Sequence, residues 1–387
     1  MTLQEILGNE ELRQHEFPIA KNKIYLAHAG VCPLPRRVAE AMNSYNNECL
    51  TSEQDTAMPS GLIPKTRSLA ATMLGVTPEE ISLVGPTSLA LSFIAGSVRL
   101  KRGHHALIYF DDYPSNVYPW MALADRGIEV RFLNIRKLGQ IRLRDIQGQI
   151  DENTGLVALA SAHFLTGYRL EVEAIAALLR QKNILFCLDA IQTLGAFPVP
   201  GNLVDFAAAD SHKWMLAPCA AGIMYIRREL QGKLRPTTQG WHNIENPNYI
   251  AQEEMVFHKD GRRFEPGTAN FVGLVGMRAG MELLLEIGID AIAAELWRKR
   301  TWVVPALQAM GAEVCFSDAP QSASAGAITF NIPGRDMAAI HRALLAKNII
   351  TSLRSDRAGT AYLRLSPHFY NTDAELHRTL EAIQSPC

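Results

Sequence analysis

The chain has 387 residues, of which 48% are hydrophobic and 20% charged, and its formal net charge is −1 at pH 7. This composition is that of an ordinary globular protein, and the near-zero charge gives none of the basic field that nucleic acid or anionic membranes attract. We find no uncharged apolar run of about 18 residues and no basic segment followed by an apolar core. We therefore expect neither a transmembrane span nor a signal peptide.

The six cysteines form no Cys-x-x-Cys pair and no cluster with zinc-like spacing. We therefore expect free thiols, no bound metal and a reducing, cytoplasmic location. The length allows two domains.

Short apolar segments alternate with helical segments along most of the chain. We predict helices over 2–16, 65–74 and 89–98, and strands over 80–84, 106–110, 128–135, 154–161, 184–188, 204–209 and 223–226. This alternation is typical of an α/β fold with a parallel sheet. Helices over 272–287 and 289–310 then lead to an α+β segment at residues 312–387.

A turn at residues 85–88 joins a predicted strand to a helix and contains Thr87 and Ser88. Free backbone N–H groups and the helix dipole favour an anion such as phosphate at this point. Thr and Ser are also ordinary N-caps, so the turn alone does not decide between the two interpretations.

The most informative segment runs from the strand at 184–188 to Lys213. Asp189 and Gln192 follow that strand, and residues 210–213 read Asp-Ser-His-Lys after the next one. Ligands of open α/β sheets bind at the C-terminal ends of strands. A lysine amine and a carboxylate at that edge are what pyridoxal phosphate (PLP) requires, for a Schiff base and for a protonated pyridine nitrogen. Taken singly, the lysine could be solvated and the aspartate an N-cap.

These motifs resemble, in order and spacing, those of the class V aminotransferases. This superfamily of fold-type I PLP enzymes includes cysteine desulfurases, kynureninase and isopenicillin N epimerase. The matching segments are Asp189-Ala190-Ile191-Gln192, Asp205-Phe206, Asp210-Ser211-His212-Lys213 and Arg263-Phe264-Glu265-Pro266-Gly267-Thr268-Ala269-Asn270. The glycine-rich segment usual after the lysine is only partly kept, at residues 217–222.

The resemblance covers Tyr25 to Thr372 and implies an α/β fold of the fold-type I PLP-dependent transferases. It predicts a large domain over 17–288, with a mostly parallel seven-stranded sheet. It also predicts a small α+β domain from 1–16 and 289–387.

The resemblance also implies a set of catalytic and cofactor-binding residues. Lys213 would form the Schiff base and then act as general base, Asp189 would hold the pyridinium, and Tyr113 would stack on the ring where many members use His. Further PLP contacts would come from Thr87, Ser88, Gln192, Asp210 and His212. In the family, the threonine that matches Thr268 reaches the phosphate of the partner subunit, so a homodimer with shared active sites is expected.

Substrate contacts follow from the same resemblance. Arg364 is predicted to bind the substrate carboxylate, because arginine pairs bidentately with that planar group; Arg354 is a second candidate. The loop His28-Ala29-Gly30 and Trp241 would line the pocket. Phe164 stands where desulfurases carry Asn, and His163 is open between pocket and core.

The function implied is that of a PLP enzyme acting on an amino acid, by transamination or by β-elimination as a C–S lyase. Alternatives are an epimerase of the isopenicillin N type and a non-catalytic PLP-binding relative. A nicotinamide-binding Rossmann enzyme is excluded, because no Gly-x-Gly-x-x-Gly follows an early strand. The sequence leaves open which amino acid is the substrate.

We also expect that the chain is not a persulfide-forming cysteine desulfurase. Those enzymes carry a nucleophilic Cys on a loop before the carboxylate arginine, and residues 351–363 contain none. Ser and Thr cannot replace a thiolate at neutral pH. Cys187 lies in an apolar strand and Cys387 at the terminus, so neither is expected to reach the substrate.

Overall fold

The computed structural model describes residues 1–384, so Cys387 lies outside the described residues. The strands are β1 (Ile24–Tyr25), β2 (Ile81–Val84), β3 (His105–Ile108), β4 (Glu129–Phe132), β5 (Thr154–Ala160), β6 (Leu185–Asp189), β7 (Phe206–Asp210), β8 (Gly222–Ile226), β9 (Glu313–Val314), β10 (Ile328–Asn331), β11 (Ile349–Ile350), β12 (Ser352–Ser355) and β13 (Ala361–Leu365). The α-helices are α1 (Leu3–Gly8), α2 (Glu10–Glu16), α3 (Arg36–Glu48), α4 (Leu62–Leu74), α5 (Thr87–Ser97), α6 (Tyr118–Met121), α7 (Leu143–Gln147), α8 (Val172–Gln181), α9 (Arg228–Gln231), α10 (Phe271–Ile287), α11 (Ile289–Ala309), α12 (Met337–Ala346) and α13 (Asp373–Gln384).

A seven-stranded sheet in the order β2-β8-β7-β6-β5-β3-β4 forms the centre of the molecule. The strands from β7 to β4 pair in parallel, whereas β8 pairs antiparallel with both β7 and β2. Every residue of β5 and β7 is buried. Strands covered on both faces are expected to be continuous apolar runs, which is how these segments read in the sequence. The predicted α/β fold with a mostly parallel seven-stranded sheet is confirmed.

The two faces of this sheet pack against separate apolar layers. Along β5, Val157 and Leu159 belong to one buried cluster, whereas Leu156 and Ala158 belong to the other. Successive side chains of a strand point to opposite faces, so this alternation places one cluster on each side of the sheet. The centre of the sheet therefore has no solvent-facing side.

A second, antiparallel sheet in the order β12-β13-β10-β9 lies in the C-terminal part of the chain. It shares a third apolar cluster with α11, α12 and α13. β1 pairs in parallel with β11, which ties the segment before the first loop to this C-terminal part. The division into a domain of residues 17–288 and one of 1–16 with 289–387 stays a prediction.

The N-terminal segment differs from the single helix expected over residues 2–16. It forms α1 and α2, which meet at Asn9. Asn9 has extended backbone angles, and its side-chain oxygen accepts the N–H of Leu12. An asparagine that caps a new helix in this way ends the preceding one, because the capping residue has non-helical angles. Within residues 1–384, no helix is both long and apolar enough to cross a membrane.

Gly222, at the start of β8, should be essential to the packing of the central sheet. A methyl group there would lie 2.5 Å from the Gly85 carbonyl oxygen and 2.9 Å from that of Ala209. Because both oxygens belong to neighbouring backbone, Gly222→Ala should destabilise the fold by about 1–3 kcal/mol, as overpacking does. The matched control is Gly232→Ala, where nothing lies within 4 Å of the added methyl group. Urea unfolding of the two cofactor-free variants tests this, and equal midpoints would contradict it.

Candidate active site

A cavity of about 280 Å³ opens at the C-terminal ends of β6 and β7. Asp189 is the last residue of β6, and Lys213 follows β7 by three residues. The strands are in parallel register, which brings these two residues to the same edge of the sheet. The cavity is lined by Ala29, Gly30, Val31, Pro86, Thr87, Ser88, Tyr113, Ser115, Phe164, Asp189, Ile191, Gln192, His212, Lys213, Arg354 and Arg364.

Asp189 and Lys213 are both buried, and burial shifts each of their pKa values toward the neutral form. Desolvation raises the pKa of Asp189 to about 6, although the N–H of Ile191 donates to Oδ1 of Asp189 (3.0 Å) and Lys213 opposes the rise. Desolvation also lowers the pKa of Lys213 to about 8, against the attraction of Asp189. A buried lysine with a lowered pKa is a nucleophile and base near neutral pH.

The predicted phosphate end of the site lies at the start of α5, whose first residue is Thr87. No side chain caps this helix, so its first N–H groups are left for an anion. The hydroxyl oxygen of Thr87 accepts the backbone N–H of Asp210 (2.8 Å), which fixes α5 against β7. The hydroxyl groups of Ser88 and Ser115, which both line the cavity, form a hydrogen bond with each other (2.7 Å).

Asp210 differs from its expected role as a direct cofactor contact. It is buried behind the cavity wall and does not line the cavity. Its Oδ2 meets Nδ1 of His212 (2.8 Å) and accepts the N–H of Ala220 (3.1 Å). Asp210 therefore orients His212, which does line the cavity, and shapes the loop after Lys213.

The loop after Lys213 lacks the glycines that its conformation favours. Leu216 and Ala220 have φ values of 54° and 59°, in the left-handed region where a side chain is strained. This region coincides with the segment in which the glycine-rich pattern of the family is only partly kept. The strain is held in place by the contact between Ala220 and Asp210.

Tyr113 lies over the cavity beside Lys213. The Lys213 Nζ is 5.3 Å from the centre of the Tyr113 ring, and Phe164 packs edge-on against that ring at 5.4 Å. The loop that carries Tyr113 is held by Asp112, a residue that the sequence prediction missed. Asp112 accepts N–H groups from Tyr113 (2.7 Å), Asn116 (3.0 Å) and Ala160 (3.2 Å).

Asp112 is fully buried, and burial together with the neighbouring Asp189 carboxylate raises the pKa of Asp112 to about 7. The available signal for it in the sequence was an aspartate just before Tyr113-Pro114, since aspartate at such a turn bonds to backbone N–H groups nearby.

Gln192 is held on both sides of its amide. Its Nε2 donates to the Ala29 carbonyl (3.2 Å), and its Oε1 accepts the indole N–H of Trp214 (3.2 Å). These bonds connect the first loop of the chain to the strand that ends in Asp189. Gln192 and Ala29 both line the cavity.

Arg364 presents unsatisfied donors to the cavity. Its Nη1 donates to the Phe164 carbonyl oxygen, whereas its Nε and Nη2 are buried and find no partner among the described residues. Burial and the nearby charge of Arg354 lower the pKa of Arg364 to about 9. A buried guanidinium with two free donor nitrogens is a matching partner for a carboxylate.

His28 does not line the cavity, which corrects the prediction for this residue. The ring is fully buried: Nδ1 donates to the Ser366 carbonyl (2.8 Å), and Nε2 accepts the hydroxyl of Tyr370 (2.8 Å). Burial lowers the pKa of His28 to about 4, so the ring is neutral. It joins the first loop to the C-terminal part, while its neighbours Ala29 and Gly30 form the cavity wall.

His163 also belongs to the core. Nε2 donates to the Asp111 carbonyl (2.9 Å), Nδ1 accepts the N–H of Thr166 (3.2 Å), and burial lowers the pKa of His163 to about 4.

Trp241 and Thr268 lie apart from Lys213 within one chain. They line a separate cavity of about 760 Å³ together with Glu265 and residues of the segment before α4. Trp241 is half-exposed there. The structure of the single chain therefore does not bring these two predicted residues to the cavity that holds Asp189 and Lys213.

The fold and the arrangement of these side chains define a class of protein: an open α/β enzyme scaffold with a buried lysine–aspartate pair at the strand ends. The family model for class V aminotransferases matches residues 24–378. The chain belongs to that family, and pyridoxal phosphate is its cofactor.

Several relatives match nearly the whole chain. A probable cysteine desulfurase of Methanothermobacter thermautotrophicus is 26% identical, over 97% of this chain and 98% of its own. An uncharacterised aminotransferase of Bacillus subtilis, YcbU, is 27% identical over 97% of each chain. The apo structure of a cysteine desulfurase from Thermococcus onnurineus superposes with a TM-score of 0.87 at 23% identity, over 97% of each chain, which shows the shared fold.

These relatives overturn the exclusion of a persulfide-forming cysteine desulfurase, and that prediction was wrong. It relied on the absence of Cys from residues 351–363, and that absence concerns one loop only. A thiol that accepts sulfur can equally come from another segment, from a partner subunit or from a second molecule. Among the described residues, Cys32, Cys49, Cys187, Cys219 and Cys315 are free cysteines.

The residues present fit PLP. Lys213 would supply the amine, Asp189 the carboxylate for the pyridine nitrogen, and the uncapped start of α5 the donors for a phosphate. Tyr113 covers one face of the space between them. Nε and Nη2 of Arg364, which have no partner among the described residues, are not needed for this fit.

The lowered pKa of Lys213 predicts how the cofactor-free protein takes up PLP. Only the neutral amine attacks the aldehyde, so the rate of attachment should rise with pH around a midpoint of about 8 and level off above it. An ordinary lysine would give a midpoint of about 10.4. Asp189→Asn removes the charge that raises the pKa of Lys213, so its midpoint should fall. Stopped-flow absorbance measures the midpoints of the native protein and of Asp189→Asn, with free N-acetyl-lysine as control. A native midpoint near that of the control would contradict the assignment of Lys213 as the lysine that binds PLP.

Proposed function

We propose that this chain is a PLP-dependent enzyme that cleaves the C–S bond of cysteine or a related sulfur-containing amino acid. The observation that carries the proposal is the buried Lys213–Asp189 pair facing the unpaired Arg364 in one small cavity. Support for sulfur chemistry comes from relatives named probable cysteine desulfurases, which align along 97% of the chain.

Lys213 is the base in this proposal. Because burial lowers the pKa of Lys213 to about 8, its amine can accept the Cα proton of a bound amino acid near neutral pH. PLP, when bound, supplies an electron-accepting ring for the pair of electrons left at Cα. The Asp189 carboxylate would keep the ring nitrogen protonated, because a nearby negative charge favours the positively charged form of that nitrogen.

Arg364 sets the direction of the substrate. A substrate carboxylate could accept from Nε and Nη2 of Arg364, which lines the same cavity as Lys213. Tyr113 and Phe164 line the same cavity and pack edge-on against each other.

The fate of the sulfur distinguishes the reactions within this proposal. A desulfurase converts cysteine and an acceptor thiol to alanine and a persulfide, and a β-elimination converts cysteine and water to pyruvate, ammonia and sulfide. An aminotransferase or an epimerase would leave the C–S bond intact. The test is product analysis with cysteine and cystine, with and without added thiol; absence of alanine, pyruvate and sulfide in all cases would refute the proposal.

Replacing Arg364 should weaken substrate binding. Arg364→Gln removes a charge-assisted pair, which costs about 2 kcal/mol or more and thus raises KM roughly 30-fold. The matched control is Arg357→Gln, because Arg357 lies on the same hairpin yet pairs with Asp111 outside the cavity. Steady-state kinetics at saturating PLP measure both, and an unchanged KM in Arg364→Gln would remove this role.

We further propose a cytoplasmic homodimer in which Thr268 serves the cofactor site of the partner subunit. In support, Thr268 lies in a separate cavity from Lys213 of its own chain, so a contact with the cofactor phosphate requires a second subunit. Two-fold dimers are also the commonest oligomers. Free cysteines in the described residues agree with a reducing compartment.

Thr268→Val should raise the Kd for PLP at least about tenfold, since a hydrogen bond to a charged group contributes roughly 1.5–3 kcal/mol. Thr268→Ser keeps the hydroxyl and should retain the native affinity. Cofactor titration of the two variants, combined with analytical ultracentrifugation, tests this prediction. A monomer with full cofactor occupancy would rule out the shared site.

A further inference from the structure

Two neighbours fix the orientation of the Gln192 amide. Its Nε2 donates to the Ala29 carbonyl oxygen (3.2 Å), and its Oε1 accepts the indole N–H of Trp214 (3.2 Å). The reverse orientation would set the amide nitrogen against another donor and the amide oxygen against another acceptor. Because Gln192 is buried, either mismatch would leave polar groups without partners. The amide of Gln192 therefore has one allowed orientation.

This orientation leaves a hydrogen-bond donor for the cavity. An amide nitrogen carries two hydrogens, and the Ala29 carbonyl takes one of them. The other finds no acceptor among the described residues, and Gln192 lines the cavity that contains Lys213. Among the described residues that line this cavity, Gln192 is also the one with a side-chain amide.

Trp214, which follows Lys213 directly in the chain, is itself held in place. Nε2 of His368 donates to the Trp214 carbonyl oxygen (3.0 Å), while the Phe369 N–H donates to Nδ1 of His368 (2.9 Å). Because Nδ1 accepts, the proton of this neutral ring is on Nε2. A methyl group added to Gly326 would lie 2.5 Å from the indole ring, so the ring packs directly on the backbone. The direction of the indole N–H is therefore set by the fold.

PLP has four polar groups, and three of them would be taken by other parts of the site. Asp189 suits the ring nitrogen, the start of α5 the phosphate and Lys213 the aldehyde. The phenolic oxygen remains, and it carries negative charge when ionised. An amide N–H is a suitable donor for such an oxygen, whereas an amide carbonyl would repel it.

We propose that Trp214 is a positioning residue, which holds the Gln192 amide so that an N–H and not the carbonyl oxygen faces the phenolic oxygen of PLP. Trp214 would thereby set the proton affinity of the Schiff base on Lys213. Loss of the Schiff-base proton leaves the phenolic oxygen without a neighbouring positive charge, so a donor to that oxygen favours the deprotonated form. The inference depends on the cofactor and on no particular substrate or reaction.

The test is a pH titration of the PLP-loaded protein without substrate, followed by the absorbance of the Schiff base. Gln192→Leu removes the donor and should raise the midpoint by about one pH unit, as expected for a lost hydrogen bond to a charged oxygen. Trp214→Phe keeps an aromatic ring but leaves Oε1 of Gln192 without its donor. It should raise the midpoint by about half a unit or more, because the amide is then no longer held.

A double variant separates positioning from a general disturbance of the site. If Trp214 acts through Gln192, Trp214→Phe should cause no further shift in the Gln192→Leu background, whereas independent effects would add. The matched control is Trp302→Phe, because the buried indole N–H of Trp302 has no partner among the described residues. This variant should keep the native midpoint. Trp214→Met, which also lacks the N–H, repeats the test if Trp214→Phe does not retain PLP.

An unchanged midpoint in Gln192→Leu or in the Trp214 variants would overturn the inference, and so would additive shifts in the double variant. Because no substrate is present, the result is independent of the proposed function. C–S cleavage by a protein whose midpoint is insensitive to Trp214 would uphold the proposed function while contradicting this inference. Shifted midpoints in a protein that cleaves no C–S bond would do the reverse.

Discussion

The burial of a lysine and an aspartate at one edge of the sheet is the constraint on which the rest of the structure depends. Transfer of either charge into an apolar interior is unfavourable unless a partner compensates it. Asp189 and Lys213 oppose each other's pKa shifts, but burial still moves both pKa values toward neutrality. Burial thereby leaves the Lys213 amine with a pKa of about 8, close enough to physiological pH for the nucleophile and general base that the site requires.

The surrounding fold keeps this pair in place through contacts between distant parts of the chain. Thr87 joins α5 to the end of β7, and Gln192 joins the end of β6 to Ala29. His28 in turn connects that first loop to Tyr370 near the C-terminus. Residues at the edge of the central sheet and on the C-terminal hairpin of β12 and β13 therefore form the site together.

The sequence predicts those parts of the fold and site that depend on local pattern. Apolar runs located the strands of the central sheet, and the Asp189 and Lys213 motifs follow their strands at short, regular distances. The sequence could not show that β12 and β13 place Arg354 beside Arg364, because that proximity comes from pairing across a turn. Nor could it show that His28 is buried against Tyr370, over 300 residues away, or that Asp112 holds the Tyr113 loop through three N–H groups.

The most direct measurement of the central claim is reduction of the PLP-loaded protein with sodium borohydride, followed by proteolysis and mass spectrometry. Because Lys213 is the lysine that lines the cavity together with Asp189, the account predicts one stable pyridoxyl adduct per chain, on the peptide that contains Lys213. An adduct on a different lysine, or a protein that binds PLP without any reducible link to Lys213, would contradict it.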